Sequence, residues 1–416
     1  MKVVLLCWRD TRHPEGGGSE RYLEEVGHYL AAQGHDVVFR TAKYPGARRS
    51  ETEERDGHLL RFSRGGGNLS VYPRALVVLL AARLGLPFGP FKDFGRPDVI
   101  VDTQNGVPFF ASVVAGAPTV VLTHHCHREQ WSVAGPVLFR LGWLIESKIS
   151  PWLHRKNTWV TVSRPSAEEF AELGVPRERL QIIRNGIDPV PNSVAAPSAA
   201  AGADGEAGAS TDAAVGQATG TGEAVGTGQA SPSSDTLHLV TLSRLVPHKQ
   251  IEHALGALAA VRADIPNVRL DVIGDGWWSE NLREYARELG VEANVVFHGH
   301  VSEEIKHRIL SRAALHVMPS RKEGWGLAVI EAAQHGVPTV GYKSSAGLRD
   351  SVIQNETGIL AGSPGGLINA VEHLLLNHEE RHAMGQAAAR RASGFSWDAT
   401  GQAWNKLLTT VVGRGR

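Results

Sequence analysis

Short apolar runs alternate with helical stretches along most of this chain, and this alternation restricts the possible folds more than any other feature. The first run, at 3–6, is followed by glycine-rich sequence, an amphipathic stretch at 19–32 and a second run at 35–39. Runs without polar alternation suit strands buried on both faces, and their alternation with helices is typical of open parallel sheets. Further runs stand at 99–101, 119–122, 158–162 and 181–183. Residues 1–188 are therefore predicted to form a doubly wound, Rossmann-like α/β domain.

Residues 189–235 interrupt this alternation. They contain no aromatic and no basic residue, and apart from five acids they are almost all small or uncharged. Such a stretch cannot bury enough apolar surface to offset the entropy of ordering it, so we predict a disordered linker. The alternation resumes at 237, which predicts a second Rossmann-like domain at 236–395 and a helix at 396–416 that could pack back on the first domain. Ligands of such sheets bind beyond the carboxyl ends of the strands, so the predicted site is the cleft between the domains.

The formal net charge of zero excludes a strongly basic nucleic-acid coat, and no nucleic-acid partner is expected. The charges are unevenly distributed: residues 1–188 carry 24 basic and 20 acidic side chains, residues 189–235 carry five acids and no base, and the remainder carries 19 and 18. The two cysteines, Cys7 and Cys126, are too few for a disulfide framework and favour a reducing compartment. Without a secretory signal or an apolar run of about 18 residues, we expect a soluble cytoplasmic protein.

Glycines fill the segment between the first apolar run and the first predicted helix. Gly17 and Gly18 precede Ser19 there, and the third glycine of a dinucleotide fingerprint is replaced by Arg21. Backbone N–H groups at such a helix start can approach an anion, which the helix dipole also favours. A flexible turn capped by Ser19 is the alternative interpretation.

Three histidines follow the predicted strand at 119–122. His124, His125 and His127 flank Cys126, which raises the possibility of a metal site. Adjacent side chains on an extended segment point to opposite sides, and no second cluster with zinc spacing follows. A polar contact at the cleft, made by one of these histidines, is therefore preferred to a metal site, and no metal is predicted.

Two cations lie on the loop after the first strand of the second domain. Arg244 and Lys249 stand at the carboxyl end of that strand, where a guanidinium fork and an ammonium point charge suit a diphosphate. Solvated surface charge is the alternative for this pair.

The segment 319–331 carries the most specific pattern. A strand ends in a loop with Glu323, Gly324 and Gly326, and the following helix carries Glu331. Free N–H groups at that helix start can hold phosphate or sugar oxygens, and a carboxylate near them can accept hydrogen bonds from two vicinal hydroxyls. A surface location for a single glutamate would not explain the whole arrangement.

The stretch at 71–91 is apolar but contains Arg74 and Arg83, and four tryptophans lie in the first domain: Trp131, Trp143, Trp152 and Trp159. Two interpretations stay open. The stretch is either an ordinary buried helix beside core tryptophans, or a basic, aromatic face that binds the membrane interface peripherally.

In this order, the motifs resemble those of retaining glycosyltransferases of the GT-B fold, in the fourth glycosyltransferase family (glycosyl transferases group 1). The resemblance rests on Glu323-x7-Glu331, Arg244 with Lys249, Gly-Asp-Gly at 274–276, the glycine-rich first loop and Arg-Asn-Gly-Ile-Asp at 184–188. It extends over nearly the whole chain except the insert. It implies two Rossmann-like domains that face each other across a cleft, the first for the acceptor and the second for the donor nucleotide.

The resemblance also implies roles for individual residues. Arg244 and Lys249 would stabilise the leaving diphosphate, and Glu331 would hold the ribose hydroxyls. Glu323 and the backbone of Gly324, Trp325, Gly326 and Leu327 would hold the donor sugar and phosphate. Gly17 and Gly18 would lie against the phosphate or acceptor, and the loop with His300 and Val301 would hold the base. The catalytic-region histidine corresponds by spacing to His125, with His124 as the second choice.

The implied reaction is transfer of a hexose from a nucleoside diphosphate sugar to a hydroxyl of a polysaccharide, glycolipid or small metabolite, with retention. No cofactor and no divalent metal are expected, since no strict Asp-x-Asp motif stands outside acid-rich or linker sequence. A non-catalytic sugar-nucleotide-binding homologue, and a hydrolase or epimerase on the same fold, are the alternative functions.

Overall fold

A computed structural model of the chain describes residues 1–14, 16–67, 69–86, 89, 91, 93–128, 136–195 and 236–415. The predicted linker therefore lies outside the described residues from residue 196 onward. None of the helices in the described ranges is long and apolar enough to cross a membrane.

The first sheet has eight strands in the order β3-β4-β2-β1-β5-β6-β7-β8, all parallel except β3, which runs antiparallel to β4. The strands are β1 (Lys2–Leu6), β2 (Asp36–Thr41), β3 (Ser50–Arg55), β4 (His58–Arg64), β5 (Val99–Thr103), β6 (Thr119–Leu122), β7 (Thr158–Thr161) and β8 (Leu180–Ile182). The central strands β5 and β6 are buried at every position, as their continuous apolar sequence predicts.

The second sheet has six parallel strands in the order β11-β10-β9-β12-β13-β14. They are β9 (Leu237–Leu242), β10 (Val268–Ile273), β11 (Val295–Gly299), β12 (Ala313–Met318), β13 (Thr339–Tyr342) and β14 (Gly358–Ala361). The predicted fold class, two Rossmann-like α/β domains, is confirmed.

Fifteen α-helices of the described ranges cover and connect the two sheets. They are α1 (Gly18–Ala32), α2 (Val71–Arg83), α3 (Ala111–Val114), α4 (Pro136–Leu144), α5 (Ser150–Leu153), α6 (Arg164–Glu172), α7 (Asn192–Ala195), α8 (Ile251–Val261), α9 (Ser279–Glu288), α10 (Glu303–Leu310), α11 (Leu327–Ala333), α12 (Ala346–Ser351), α13 (Pro364–Leu376), α14 (His378–Ala392) and α15 (Trp397–Gly415). A π-helical turn, Ile145–Ile149, joins α4 to α5.

The hairpin of β3 and β4 is absent from the sequence prediction. Its outer strand is Ser-Glu-Thr-Glu-Glu-Arg, so it has no apolar run, and it forms the edge of the sheet, where charged residues discourage further pairing. Asp56 and Gly57 connect the strands with φ values of 52° and 78°, as a two-residue hairpin turn requires. The Asp-Gly pair is typical of such turns and is the sequence feature from which the hairpin could have been predicted.

The C-terminal helix α15 packs against α1 of the first domain. Trp404 is fully buried, and its indole N–H donates to the Tyr22 hydroxyl at 2.6 Å. Tyr22 in turn donates to the carbonyl of Ile183 at 2.9 Å. The core around α1 continues into the second domain through Trp325 and Ile330, so apolar residues of both domains pack in one cluster.

Candidate functional site

Loops from the two domains meet in the cleft. A Cβ atom added to Gly324 would lie 3.6 Å from Nδ1 of His125 and 3.7 Å from the carbonyl oxygen of His124. One added to Gly18 would lie 3.5 Å from Cδ1 of Leu327. The loops after β6 and β12 and the start of α1 are therefore neighbours, which brings these predicted site residues together.

Lys249 and Glu323 form an ion pair at the carboxyl edge of the second sheet. Nζ lies 2.5 Å from Oε1, and the side chains are only 13 % and 10 % exposed. Lys249 ends a single 3₁₀ turn, and the Arg321 N–H donates to the carbonyl of His248 at 3.0 Å, so the two loops are also joined through their backbones. Partial burial weakens screening by solvent, so this ammonium interacts more strongly with an anion than a surface lysine does.

Arg244 lies on the same loop and is exposed. Its guanidinium makes no hydrogen bond or ion pair with any described residue. The loop rests on two glycines of the Gly-Asp-Gly motif: a Cβ at Gly274 would lie 1.9 Å from the Ser243 carbonyl oxygen, and one at Gly276 2.2 Å from that of Leu245. These glycines let the backbone on either side of Arg244 pack closely against the loop after β10.

The structure distinguishes the two candidate histidines. His124 is buried against Tyr22, with ring centroids 5.1 Å apart, and burial lowers its pKa to about 4. His125 is half-buried and lies beside Gly324. Burial, with the neighbouring His127, holds the pKa of His125 well below its usual value, so the ring is neutral at pH 7. The first-choice residue, His125, is the one whose ring lies against the second domain.

A buried carboxylate supports this histidine group. The His125 and His127 rings stack with centroids 4.5 Å apart, and fully buried Glu146 accepts from the backbone N–H and from Nδ1 of His127 at 3.0 and 3.1 Å. Glu146 lies on the π-helical turn, a feature often found at functional sites. Sequence reasoning missed it, although it is the single acid between residues 130 and 167.

Glu331 lies on α11 with a lysine partner. Nζ of Lys306 is 2.6 Å from Oε1 of Glu331 and 2.6 Å from Oε2 of Glu303. Burial disfavours the charged form of Lys306, but Glu331 and Glu303 together raise its pKa above the usual value. Lys306 therefore stays charged and fixes the Glu331 carboxylate. The sequence analysis did not predict Lys306 as a site residue, because no sequence motif links α10 to α11.

Trp325, Gly326 and Leu327 start α11. Gly326 has φ 85°, the left-handed conformation that glycine permits, and the helix begins at Leu327. The Trp325 side chain is 3 % exposed and packs edge-to-face on Phe395, 4.8 Å between centroids. Its ring thus belongs to the core, and the backbone of this residue remains for contact with a ligand.

The glycine-rich loop has a partner within the chain. The Gly17 N–H donates to Oε2 of Glu20 at 2.9 Å at the start of α1, which is the glutamate half of a capping box without the N-cap side chain. An anion bound at this N–H would have to displace the Glu20 carboxylate. Gly18, opposite Leu327, is the glycine that lies at the cleft.

The loop of His300 and Val301 follows β11. His300 is exposed, whereas Val301 packs on the second domain. On the neighbouring strand β10, Asp271 accepts from His298 Nε2 at 2.6 Å and from His238 Nδ1 at 2.7 Å. Burial alone would raise the pKa of Asp271, but these two hydrogen bonds lower it to about 2. A charged, buried carboxylate therefore anchors the base of this loop.

Asp188 ties the domains together beside the cleft. Its carboxylate pairs with Arg21 of α1 and accepts from the Trp397 indole N–H at 2.9 Å. Its carbonyl accepts from the Gln334 side chain at 2.7 Å. The last residue of the Arg-Asn-Gly-Ile-Asp segment thus contacts α1, α15 and the residue that follows α11.

Two family models match the chain. The model described as Glycosyltransferase Family 4 matches residues 16–190, and the model described as Glycosyl transferases group 1 matches residues 229–391. The first range takes in most of the first sheet, and the second takes in the second sheet. Together they account for most of the chain.

The chain is also similar to individual curated proteins and solved structures. Glycogen synthase of Mycobacterium tuberculosis is 26 % identical, over 97 % of this chain and 93 % of that protein. Exopolysaccharide phosphotransferase SCO2592 of Streptomyces coelicolor is 31 % identical over 182 residues, which are 42 % of this chain and 19 % of that protein. The solved structure of sucrose-phosphate synthase from Thermosynechococcus elongatus superimposes with a TM-score of 0.71 at 19 % identity, over 99 % of each chain.

Proposed function

Because this chain belongs to the group 1 glycosyl transferases and has their GT-B fold, we propose that it moves a hexosyl group from a nucleoside diphosphate sugar to an acceptor hydroxyl, with retention of configuration. The observation that supports this best is the enclosed Lys249–Glu323 pair, in which Glu323 lies on the loop that contacts His125. It offers a cation for a leaving diphosphate and a carboxylate for a sugar hydroxyl at one point of the cleft.

The chemistry separates an oxocarbenium-like sugar from a departing diphosphate. Lys249 and Arg244 would stabilise the growing negative charge as fixed donors, and one such donor typically lowers the barrier by about 2.7–4 kcal/mol. The leaving phosphate would accept the proton of the acceptor hydroxyl, so no further base is required. Neutral His125 would then serve as a hydrogen-bonding contact to the sugar rather than as a charge.

The same two cations lead us to propose that transfer requires no divalent metal. Initial rates of chelator-treated enzyme are expected to be unchanged by Mg²⁺ or Mn²⁺. A large activation by either ion would contradict this part of the proposal.

Thermal-shift measurements against uridine, guanosine and adenosine diphosphate sugars would test donor binding, because a ligand of the folded state raises its stability. NMR of the product formed with candidate acceptors would then report the anomeric configuration. Binding without product would favour a non-catalytic homologue. Free sugar, or an altered donor in the absence of acceptor, would favour a hydrolase or an epimerase.

A second observation favours a lipid-linked acceptor among the possible acceptor classes. Val77, Leu80, Leu84 and Leu86, on or just after α2, are 40–62 % exposed. Residues 65–92 contain basic residues but no acid. An apolar face with basic neighbours suits the surface of a membrane that contains anionic lipids.

Sedimentation with vesicles would test this face. The protein is expected to bind vesicles of mixed anionic and neutral lipid at low salt, and Leu84→Ser should weaken that binding. Leu376→Ser is the matched control, since both leucines are 62 % exposed and Leu376 lies on α13 of the second domain. Equal binding by both variants would argue against the α2 face.

A further inference from the structure

A second cluster of chemistry-bearing side chains lies on the first domain, at the outer edge of its sheet. Glu24 and His28 are one helical turn apart on α1, so they share a face of that helix. Glu53 on β3 faces them. The three residues bring two carboxylate oxygens and one imidazole nitrogen within 4.8 Å of one another.

The imidazole of His28 points into this cluster. The side chain is 5 % exposed, and Nε2 makes no hydrogen bond with any residue of the described ranges, although Oε1 of Glu53 is 3.4 Å away. Buried polar nitrogens in native structures normally have a partner. Burial, helped by the Arg55 charge, lowers the pKa of His28, which keeps the ring in the neutral form that binds metal ions.

The surroundings carry an excess of negative charge. Ion pairs join Asp10 to Arg64, Arg64 and Arg12 to Glu51, and Arg12 to Glu53. Glu24 and the Glu25–Arg55 pair complete the group, which makes five carboxylates against three guanidinium groups. Burial, and then the charges of Glu53 and Asp10, raise the pKa of Glu24, although the Thr11 hydroxyl and N–H donate to it. A divalent cation would balance the two excess charges.

We propose that Glu24, His28 and Glu53 bind a divalent transition-metal ion of the zinc class. Zinc takes imidazole nitrogens and carboxylate oxygens as ligands at roughly 2.0–2.2 Å, and its open sites combine three protein ligands with a water. The three ligand atoms, now within 4.8 Å of one another, would draw together around the ion. The ion would link α1 to β3. Through the Thr11–Glu24 hydrogen bonds it would also steady the loop that leads to Gly18. The site is independent of glycosyl transfer.

Zinc binding by the full-length chain tests the proposal. Chelator-treated protein would be equilibrated with ZnCl₂, passed through a desalting column and analysed for bound metal, and its melting temperature would be followed during the titration. We expect one Zn²⁺ per chain at this site and a melting temperature that rises with zinc. His28→Gln and Glu53→Gln should each weaken binding at least tenfold. Co²⁺ in place of zinc should give a visible absorption band that both variants lose.

Control variants in the same experiment test whether the ion binds to other side chains of this protein. Glu25→Gln changes the neighbouring acid on α1, which pairs with Arg55 and offers no ligand atom to the cluster, so the variant should still bind one ion. His378 and His382, stacked on α14, are the competing surface pair, and their double replacement by Gln should also leave the ion bound. Melting of the metal-free variants shows whether they fold. Wild-type protein without zinc, or unchanged binding by folded His28→Gln, would overturn the proposal.

Discussion

The ammonium group of Lys249 lies 2.5 Å from the carboxylate of Glu323, 74 positions further along the chain. Each side chain orders the other before any donor arrives, and the pair occupies the place where the two central loops of the second sheet meet. Under the proposed function, a diphosphate that bound here would compete with Glu323 for Lys249, and the displaced carboxylate would become available to the sugar. Donor binding and rearrangement of this pair are therefore expected to be coupled.

Replacing Lys249 by Met should lower kcat by about 10²- to 10³-fold, since it removes one fixed donor to the leaving group. Lys406, exposed on the C-terminal helix α15, provides the control: Lys406→Met should keep the parental rate. Initial rates at saturating donor and acceptor would compare both variants with the parent. Wild-type turnover by Lys249→Met or by Glu323→Ala would contradict the proposed function.

Much of the fold follows from the sequence, for a physical reason. Strands buried on both faces need continuous apolar runs, so those of β5 and β6 stand out against amphipathic helices. The outer strand β3 lacks such a run because an edge strand is half solvated, and its pattern resembles that of a polar loop.

The site also contains some residues that the sequence predicts and others that it does not. Arg244, Lys249, Glu323 and Glu331 lie at fixed spacings on strand-end loops or just beyond them, so the sequence alone predicts that they share one edge of a sheet. The partners Lys306 and Glu146 come from other elements. They meet Glu331 and His127 only because of how α10 and the π-helical turn pack, which no local spacing encodes.

Lys306 should influence donor affinity through Glu331. Lys306→Met would leave the Glu331 and Glu303 carboxylates near each other without their shared cation, so the ribose contact would lose its fixed orientation. A hydrogen bond to a charged group contributes about 1.5–3 kcal/mol, which corresponds to a rise in donor KM of roughly tenfold or more. Lys306→Arg should restore part of the affinity. A fall in kcat at unchanged KM would argue that Lys306 acts on the chemical step instead.

Gly347 supports the Glu323 loop by having no side chain. A Cβ there would lie 2.4 Å from the Glu323 carbonyl oxygen, so Gly347→Ala must push the loop away. A displacement of about 1 Å at a reacting group can cost around 10²-fold in rate. Gly365→Ala is the matched change, because nothing lies within 4 Å of a Cβ at that helix start. Activity should fall for the first variant only, and equal rates would refute this role for Gly347.

Stability should fall as the pH drops below 7, because several histidines are buried in neutral form. Burial lowers the pKa of His316 to about 4, below the value of about 6.5 in the unfolded chain. The contribution of neutral His316 to the free energy of unfolding is complete above pH 6.5. It is lost progressively as the pH falls towards 4, since only the unfolded chain takes up the proton in this range. At pH 5 the loss is about 2 kcal/mol for this residue.

His316→Leu should therefore reduce the loss of unfolding free energy between pH 7 and pH 5 by about 2 kcal/mol. His58→Leu, a change at an exposed histidine that starts β4, should leave that pH dependence as in the parent. Urea unfolding at the two pH values gives the comparison. Parallel pH profiles for parent and His316→Leu would show that the buried ring does not titrate as inferred.

The return of the C-terminal helix to the first domain depends on a chain of buried hydrogen bonds from Trp404 through Tyr22 to the carbonyl of Ile183. Tyr22→Phe leaves both the indole N–H and that carbonyl without a partner, whereas Trp404→Phe removes the donor itself. Unsatisfied buried groups cost about 1–3 kcal/mol each, so Tyr22→Phe should be destabilising in the parent and less so once Trp404 is already Phe. Urea unfolding of the two single variants and the double variant should give a coupling energy of about 0.5–3 kcal/mol. Strict additivity would mean that the helix is held by apolar packing alone, and that the hydroxyl merely fills its position.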